Sequence, residues 1–366
     1  MEFDVLCKEK LSKLLFLEID GDKFIKMLGG DSKALNINEL YIPINPKYIS
    51  KDVESGISLD KLPINYLVEG MFFALGADEN LKFNNAYKKV IPLIKDAILC
   101  IKSIISDKIK EESLIDALIL LKGVSEVVKE EEIYSKLLLL CESIREKNKN
   151  YNELQLNLCE KYKIALPKSV MPYLYEALAY NDLGNYDKAY LEINEYLSKG
   201  GEKTDEIRVL YDEIKDSLDY EKGKDELLEE PEVALKRLLP LSDKFPENAI
   251  IKYYIATAYR RLENFEKAIY YLNESIALDN NMVEPINELG INYAYLGDYE
   301  NALICFRKTF EATRDIEICT NIIMCYLNLN NLEEAKKHLT IAKAINKDDE
   351  VLSDIERYIE NLNKQS

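Results

Sequence analysis

The stretch VEPINELGINYAYLGDYENALICFRKTFEATRD, residues 283–315, decides the fold, because related stretches lie on both sides of it. The copies begin at Ala249 and Ile316, so the spacing is 34 and then 33 residues. A period in this range is typical of stacked helical hairpins. The recurring residues are Leu289, Gly290, Tyr293, Ala302 and Phe306, with Ile255, Ala256, Tyr259, Ala268 and Leu272 in the first copy and Ile322, Ile323, Tyr326, Ala335 and Leu339 in the third.

Each recurring position has a physical role. Gly290 and Ala302 are small where two antiparallel helices must approach closely, and Tyr293 and Phe306 are large enough to fill the space beside them. Gly297-Asp298 separates two apolar-periodic runs, as a tight turn between helices requires. The pattern resembles the tetratricopeptide repeat. The resemblance implies stacked hairpins whose first helices line a concave groove.

The resemblance extends along the chain to different degrees, and a fourth copy begins at Val170. We therefore predict an all-α fold: a right-handed superhelical solenoid of tetratricopeptide-like hairpins, with an irregular N-terminal helical region and a C-terminal capping helix. The predicted segments are an N-terminal helix plus irregular segment at 1–63, degenerate repeat-like hairpins at 64–169, a repeat at 170–203, a degenerate repeat at 204–248, three repeats at 249–282, 283–315 and 316–347, and the capping helix at 348–366.

The two ends of the chain require separate predictions. Residues 3–18 suggest one helix, residues 20–22 a turn, and residues 28–63 a loop-like segment with a short extended stretch at 41–44. The capping helix should bury one apolar face against the last repeat, because a repeat array needs a polar outer end. That face is predicted to contain Val351, Ile355, Tyr358, Ile359 and Leu362.

Composition limits the possible partners. The net charge of −18 argues against nucleic acid and against an anionic membrane surface, since both are bound through clustered Lys and Arg. Charged residues recur before any apolar core of signal-peptide length develops, and no apolar run approaches a membrane span. We therefore expect a cytoplasmic, acidic protein. The excess of Lys over Arg, the abundant Asn and Ile, and the missing Trp suggest a bacterial source with AT-rich genes.

The sequence predicts no enzyme. His338 is the only histidine, so His-based acid–base or triad chemistry has almost no candidate residue. The seven cysteines show no CxxC spacing, and small buried side chains are their expected role rather than metal ligands. No glycine-rich loop has the flanking strand and helix of a phosphate site. We predict no catalytic, cofactor-binding or metal-binding residues, and no cofactor.

Function is predicted from the resemblance alone. It implies a non-catalytic scaffold or adaptor that binds a protein or peptide in the groove of the first helices. A subclass of the family grips a C-terminal carboxylate, but Glu284 and Glu317 would repel one, so that clamp is not expected here. The candidate partner-binding residues are Tyr253, Thr257, Arg260, Asn287, Ile291, Tyr295, Thr320, Met324 and Asn328.

Two other functions fit the same sequence. One is a peptide-sensing regulator with a helical N-terminal effector region, and the other is a self-assembling structural protein that stacks through an exposed repeat end. Neither the identity of the partner nor the oligomeric state follows from the sequence.

Overall fold

The computed structural model describes residues 3–48, 62–346 and 349–365, with side chains described up to residue 361. The fold is all-α, a helical-repeat architecture in which the described residues contain a single two-stranded sheet. Two compact units divide the chain, Met1–Ile214 and Lys215–Ser366. The division lies inside segment 204–248, which the sequence analysis assigned to one degenerate repeat. Residues 49–61, 347, 348 and 366 of the predicted segments lie outside the described residues.

The first unit begins with a mixed α and β region and continues as helices. Its elements are α1 (Phe3–Ser12), β1 (Leu15–Asp20), α2 (Gly21–Met27), α3 (Ser32–Leu35), β2 (Glu39–Ile44), α4 (Ile64–Ala77), α5 (Asn84–Val90), α6 (Ala97–Lys110), α7 (Leu114–Val127), α8 (Glu131–Arg145), α9 (Asn152–Ala165), α10 (Met171–Asp182) and α11 (Tyr186–Ser198). Helix α12 (Asp205–Asp225) begins in this unit and ends in the second.

The prediction of one helix over residues 3–18 is wrong. The helix ends at Ser12, and residues 15–20 form β1, which pairs antiparallel with β2 so that Leu15 lies opposite Ile44. The sequence LFLEID alternates weakly, and pairing with the apolar strand ELYIPI decides its conformation. Residues 20–22 are a helix start rather than a free turn, because the Asp20 carboxylate accepts a hydrogen bond from the Lys23 amide and caps α2.

Helices α4 and α7 pack with their backbones in close approach. A side chain added at Gly76 would overlap the carbonyl oxygen of Ile119, and one added at Gly123 would overlap that of Phe72. At the other end of α4, Gly70 lies against the carbonyl oxygen of Pro43 in β2. These glycines let the buried helix α4 contact both the sheet and α7.

The second unit is a series of antiparallel hairpins. After α13 (Pro231–Lys244), the pairs are α14 (Ala249–Arg261) with α15 (Phe265–Leu278), α16 (Val283–Tyr295) with α17 (Tyr299–Thr313), and α18 (Ile316–Asn328) with α19 (Leu332–Ile345). The recurring small residues lie at the helix contacts: a side chain added at Gly290 would come within 2.8 Å of the Phe306 ring. Buried Ala268, Ala302 and Ala335 take equivalent places in the second helices.

One turn geometry recurs in four hairpins although its residues differ. The residue before the second helix has a positive φ of 70° at Gly184, 56° at Glu263, 77° at Gly297 and 55° at Asn330. The next residue caps the second helix by accepting a backbone hydrogen bond through its side chain. These caps are Asn185, Asn264, Asp298 and Asn331, each with an acceptor distance of 3.2 Å.

The chain ends in α20 (Glu350–Gln365), which packs on α19. Its buried residues are Leu352, Ile355 and Ile359. The predicted face was therefore wrong in part, because Val351 and Tyr358 are exposed and Leu352 is buried in their place. Consecutive turns bury the i, i+3 and i+7 positions, and that stripe begins one residue later than expected. The Leu362 side chain lies outside the described residues.

Candidate peptide-binding face

The first helices of the three C-terminal hairpins present equivalent positions to one side. We call the set on α14, α16 and α18 the first-helix face. It contains Ile250, Tyr253, Thr257 and Arg260 on α14, Glu284, Asn287, Ile291 and Tyr295 on α16, and Glu317, Thr320, Met324 and Asn328 on α18. All nine predicted partner-binding residues belong to it.

The part of the face on α14 is occupied by internal contacts. The Arg260 guanidinium donates to both carboxylate oxygens of Glu288 on α16, at 2.6 and 3.2 Å, and both side chains are largely buried. Thr257 is buried, and its hydroxyl donates to the carbonyl oxygen of Tyr253 at 3.1 Å. Arg260 and Thr257 therefore join neighbouring parts of the hairpin stack.

Tyr253 is half-buried and packs in the core between the first two hairpins. Burial raises the pKa of its hydroxyl, and the neighbouring Glu288 adds to that effect, so the hydroxyl stays protonated near neutral pH. On α16, Asn287 Oδ1 is buried and accepts no hydrogen bond from the described residues. An acceptor in that position can receive an N–H from a bound chain.

The most accessible apolar side chains lie farther along the face. Tyr295 is 66% exposed, and its ring stacks on Phe265 with a centroid distance of 5.0 Å and an interplanar angle of 8°. Met324 is 44% exposed, Asn328 is exposed, and Ile291 and Thr320 are half-buried. The Phe265 contact holds the Tyr295 ring in one orientation, which reduces the entropy lost on binding.

The charge of the face is negative where it is free. Glu284 and Glu317 are exposed, and the described ion pairs leave both carboxylates available, whereas the positive Arg260 is neutralised by Glu288. This arrangement disfavours an acidic partner.

Comparison with known proteins identifies the hairpins. The family model described as tetratricopeptide repeat matches residues 251–282. The chain is a tetratricopeptide repeat protein. No curated protein matches it.

Solved tetratricopeptide structures resemble the chain at low identity. YrrB, described as a tetratricopeptide repeat protein with an unusual peptide-binding site, is 18% identical, with 64% of this chain and 96% of YrrB covered and a TM-score of 0.29. PilW, a type IV pilus biogenesis factor, is 18% identical over 61% of this chain and 97% of PilW, with a TM-score of 0.36. A thermophilic repeat protein from Thermus thermophilus is 18% identical over 53% of this chain and 98% of its own, with a TM-score of 0.32.

The tetratricopeptide hairpins form an open depression that the sequence analysis missed. It has a volume of about 870 Å³ and lies where the α13–α14 and α15–α16 connections meet, next to Ile250 and Glu284. Phe245 and Leu278 give it an apolar lining, and both are partly exposed. No repeat position indicates these residues, since they lie in connections that differ between the copies.

The cysteines take the predicted structural role. Six of the seven are buried, and Cys100 is half-buried. Burial raises the pKa of the Cys305 and Cys325 thiols to about 11, so both remain protonated and poorly nucleophilic. Within the described ranges, no group of three or more His, Cys, Asp and Glu side chains could hold a metal ion. Nor is any described helix long and apolar enough to cross a membrane.

Proposed function

We propose that this chain is a protein-interaction scaffold whose first-helix face binds a peptide segment with apolar anchor residues and basic flanking residues. The carrying observation is that Tyr295, an aromatic side chain held in place by Phe265, projects from a face whose free charges are carboxylates. Exposed rigid aromatic residues are the usual anchors of protein interfaces. The unpartnered Asn287 Oδ1 adds an acceptor for a backbone N–H of the bound segment.

The proposal differs in detail from the sequence-based set of nine residues. Arg260 and Thr257 are engaged within the stack, so their replacement should act on stability first. The binding contribution is assigned to Tyr295, Met324 and Asn287, with Asn328, Thr320 and Ile291 beside them. Tyr253 contributes through its packing against the same hairpin.

A matched pair of tyrosines tests the assignment. Tyr295 on α16 and Tyr270 on α15 are 66% and 59% exposed, but only Tyr295 lies on the first-helix face. Peptides are selected from a displayed random library with the wild type, and their affinities are measured by fluorescence anisotropy. We expect selected peptides enriched in Lys, Arg and apolar residues, about tenfold weaker binding to Tyr295→Ala, and little change for Tyr270→Ala.

The outcomes separate the proposal from its alternatives. Equal loss in both variants, or loss only in Tyr270→Ala, would place the binding surface on the second helices and overturn the proposal. Selection of acidic peptides would contradict the charge argument. Light scattering of the same samples reports self-association directly, since a monomer has a mass of 42.3 kDa.

A further inference from the structure

A cavity in the first unit has a composition unlike the rest of the chain. It has a volume of about 440 Å³, within the range of small-molecule sites, and is enclosed by α1, the segment after β2, α4, α6 and α7. Six charged side chains line it: Lys10, Lys13, Lys47, Lys108, Glu69 and Asp116.

The charge balance of this cavity is the reverse of that of the protein. Four lysines face two carboxylates, a net charge of about +2 for the lining, whereas the whole chain has 48 basic and 66 acidic residues. An excess of ammonium groups around a partly enclosed volume creates a positive potential, because the low-dielectric walls weaken screening by solvent. A cavity of this sign in an acidic protein favours an anion.

The two carboxylates do not satisfy the lysines. Asp116 pairs with Lys10 at 2.8 Å. Glu69 is buried and already accepts a hydrogen bond from the Tyr48 hydroxyl at 2.7 Å. Lys108 Nζ lies 3.9 Å from Glu69, beyond hydrogen-bond distance, although its side chain is only 21% exposed. Among the described residues, no acceptor is within hydrogen-bond distance of this ammonium.

The walls of the cavity are held in place. The rings of Tyr48 and Tyr66 stack with centroids 4.1 Å apart and planes 4° from parallel. Gly70 fixes α4 against Pro43, so the wall that carries Glu69 cannot retreat from the sheet. Burial and the Glu69 carboxylate raise the pKa of Tyr48, so its hydroxyl remains a hydrogen-bond donor.

We propose that this cavity binds a small phosphate-bearing anion, with the Lys108 ammonium as its principal contact. A phosphate group carries up to two charges and several acceptor oxygens, which suit ammonium groups that approach from different elements. Lys10 supplies the second half-buried charge, and Lys13 and Lys47 lie at the rim. The site belongs to the first unit and does not depend on the peptide-binding face.

Two substitutions in the wall should change affinity in opposite directions. Lys108→Gln removes the principal positive charge, and we expect the dissociation constant of inorganic phosphate to rise about tenfold. Glu69→Gln removes a negative charge from the same wall while its amide oxygen still accepts from Tyr48, so affinity should increase. Lys110→Gln is the matched control, because Lys110 lies on α6 but is exposed and paired with Asp107.

The experiment is calorimetric titration of the full chain with inorganic phosphate and with phenyl phosphate, at constant ionic strength set by sodium chloride. The proposal is supported if Lys108→Gln weakens binding, Glu69→Gln strengthens it, and Lys110→Gln leaves it unchanged. The absence of saturable binding of both probes to the wild type, or equal affinities in all variants, would overturn it. If Lys108→Gln does not fold, the increase in Glu69→Gln remains decisive, because loss of structure cannot raise affinity.

Discussion

The recurring turn between paired helices allows an exchange of residues with opposite expected effects on stability. Gly297 and Glu263 occupy the same place in consecutive hairpins, with φ of 77° and 56°. A residue with a Cβ atom costs about 1–2 kcal/mol in this left-handed conformation. Glycine, in turn, costs about 0.4–1 kcal/mol through the greater freedom of the unfolded chain.

The magnitudes follow from the difference between these two terms. A Cβ atom at Gly297 would have no heavy atom within 4 Å, so Gly297→Ala adds backbone strain and no collision. We expect it to lower the free energy of unfolding by about 0.5–1 kcal/mol, and Glu263→Gly to raise it by a similar amount. Asn330→Gly should give a smaller gain, because Asn tolerates the left-handed region better than Glu.

Hydrogen exchange measured by mass spectrometry on the full chain locates both effects. Amides of α14 and α15 should exchange more slowly in Glu263→Gly, and those of α16 and α17 faster in Gly297→Ala, by a factor of about five for each kcal/mol. Thermal unfolding should shift by about 2 °C in opposite directions. Changes of the same sign in the two variants would refute the argument that one turn geometry governs both positions.

Other predictions concern packing and pH. Gly123→Ala should cost about 3 kcal/mol or more, measured by urea unfolding, because the added methyl group overlaps the carbonyl oxygen of Phe72, whereas Gly184→Ala, in an open turn, should cost under about 1 kcal/mol. Gly290→Leu should cost several kcal/mol by displacing the Phe306 ring, and an unchanged thermal midpoint would contradict the hairpin packing. Burial raises the pKa of Glu176 to about 7 from 4.5, so the stability contributed by its proton is complete below pH 4.5 and is lost as the pH rises through 7. Urea midpoints at pH 5 and pH 8 should differ by on the order of 1–3 kcal/mol more in the wild type than in Glu176→Gln, and parallel pH dependences would contradict this.

The hairpins of the second unit could be predicted from sequence because each one repeats the same local solution. A small residue, a large apolar residue and a turn recur at fixed offsets, so neighbouring copies support one another. The strand pair in the first unit has no such support. Residues 15–20 form a strand only because β2 lies beside them, and these two segments are separated by α2 and α3. A pairing of this kind depends on tertiary contacts that local periodicity does not report.

The close crossing of α4 and α7 was hidden for a related reason. Gly76 and Gly123 are visible in the sequence as isolated glycines in helical patterns, which usually count against a helix. Their function depends on each other, since each lies against the backbone of the other helix. The lysine-lined cavity was missed in the same way, because Lys10, Lys47 and Lys108 come from three distant segments.

Sequence offsets identified the binding face but not which of its residues are free to bind. The same offset that places Arg260 on the face also places it within reach of Glu288, and an ion pair between adjacent first helices follows once the hairpins stack. A repeat pattern cannot distinguish a side chain that joins neighbouring hairpins from one that projects to a partner, because both occupy the same helix face. The distinction depends on the identity of the residue opposite. Where α14 presents arginine, α16 answers with a carboxylate, and where α16 ends in Tyr295 the stacking Phe265 leaves most of the ring exposed. The free binding surface is therefore expected toward α16 and α18 rather than evenly along all three first helices.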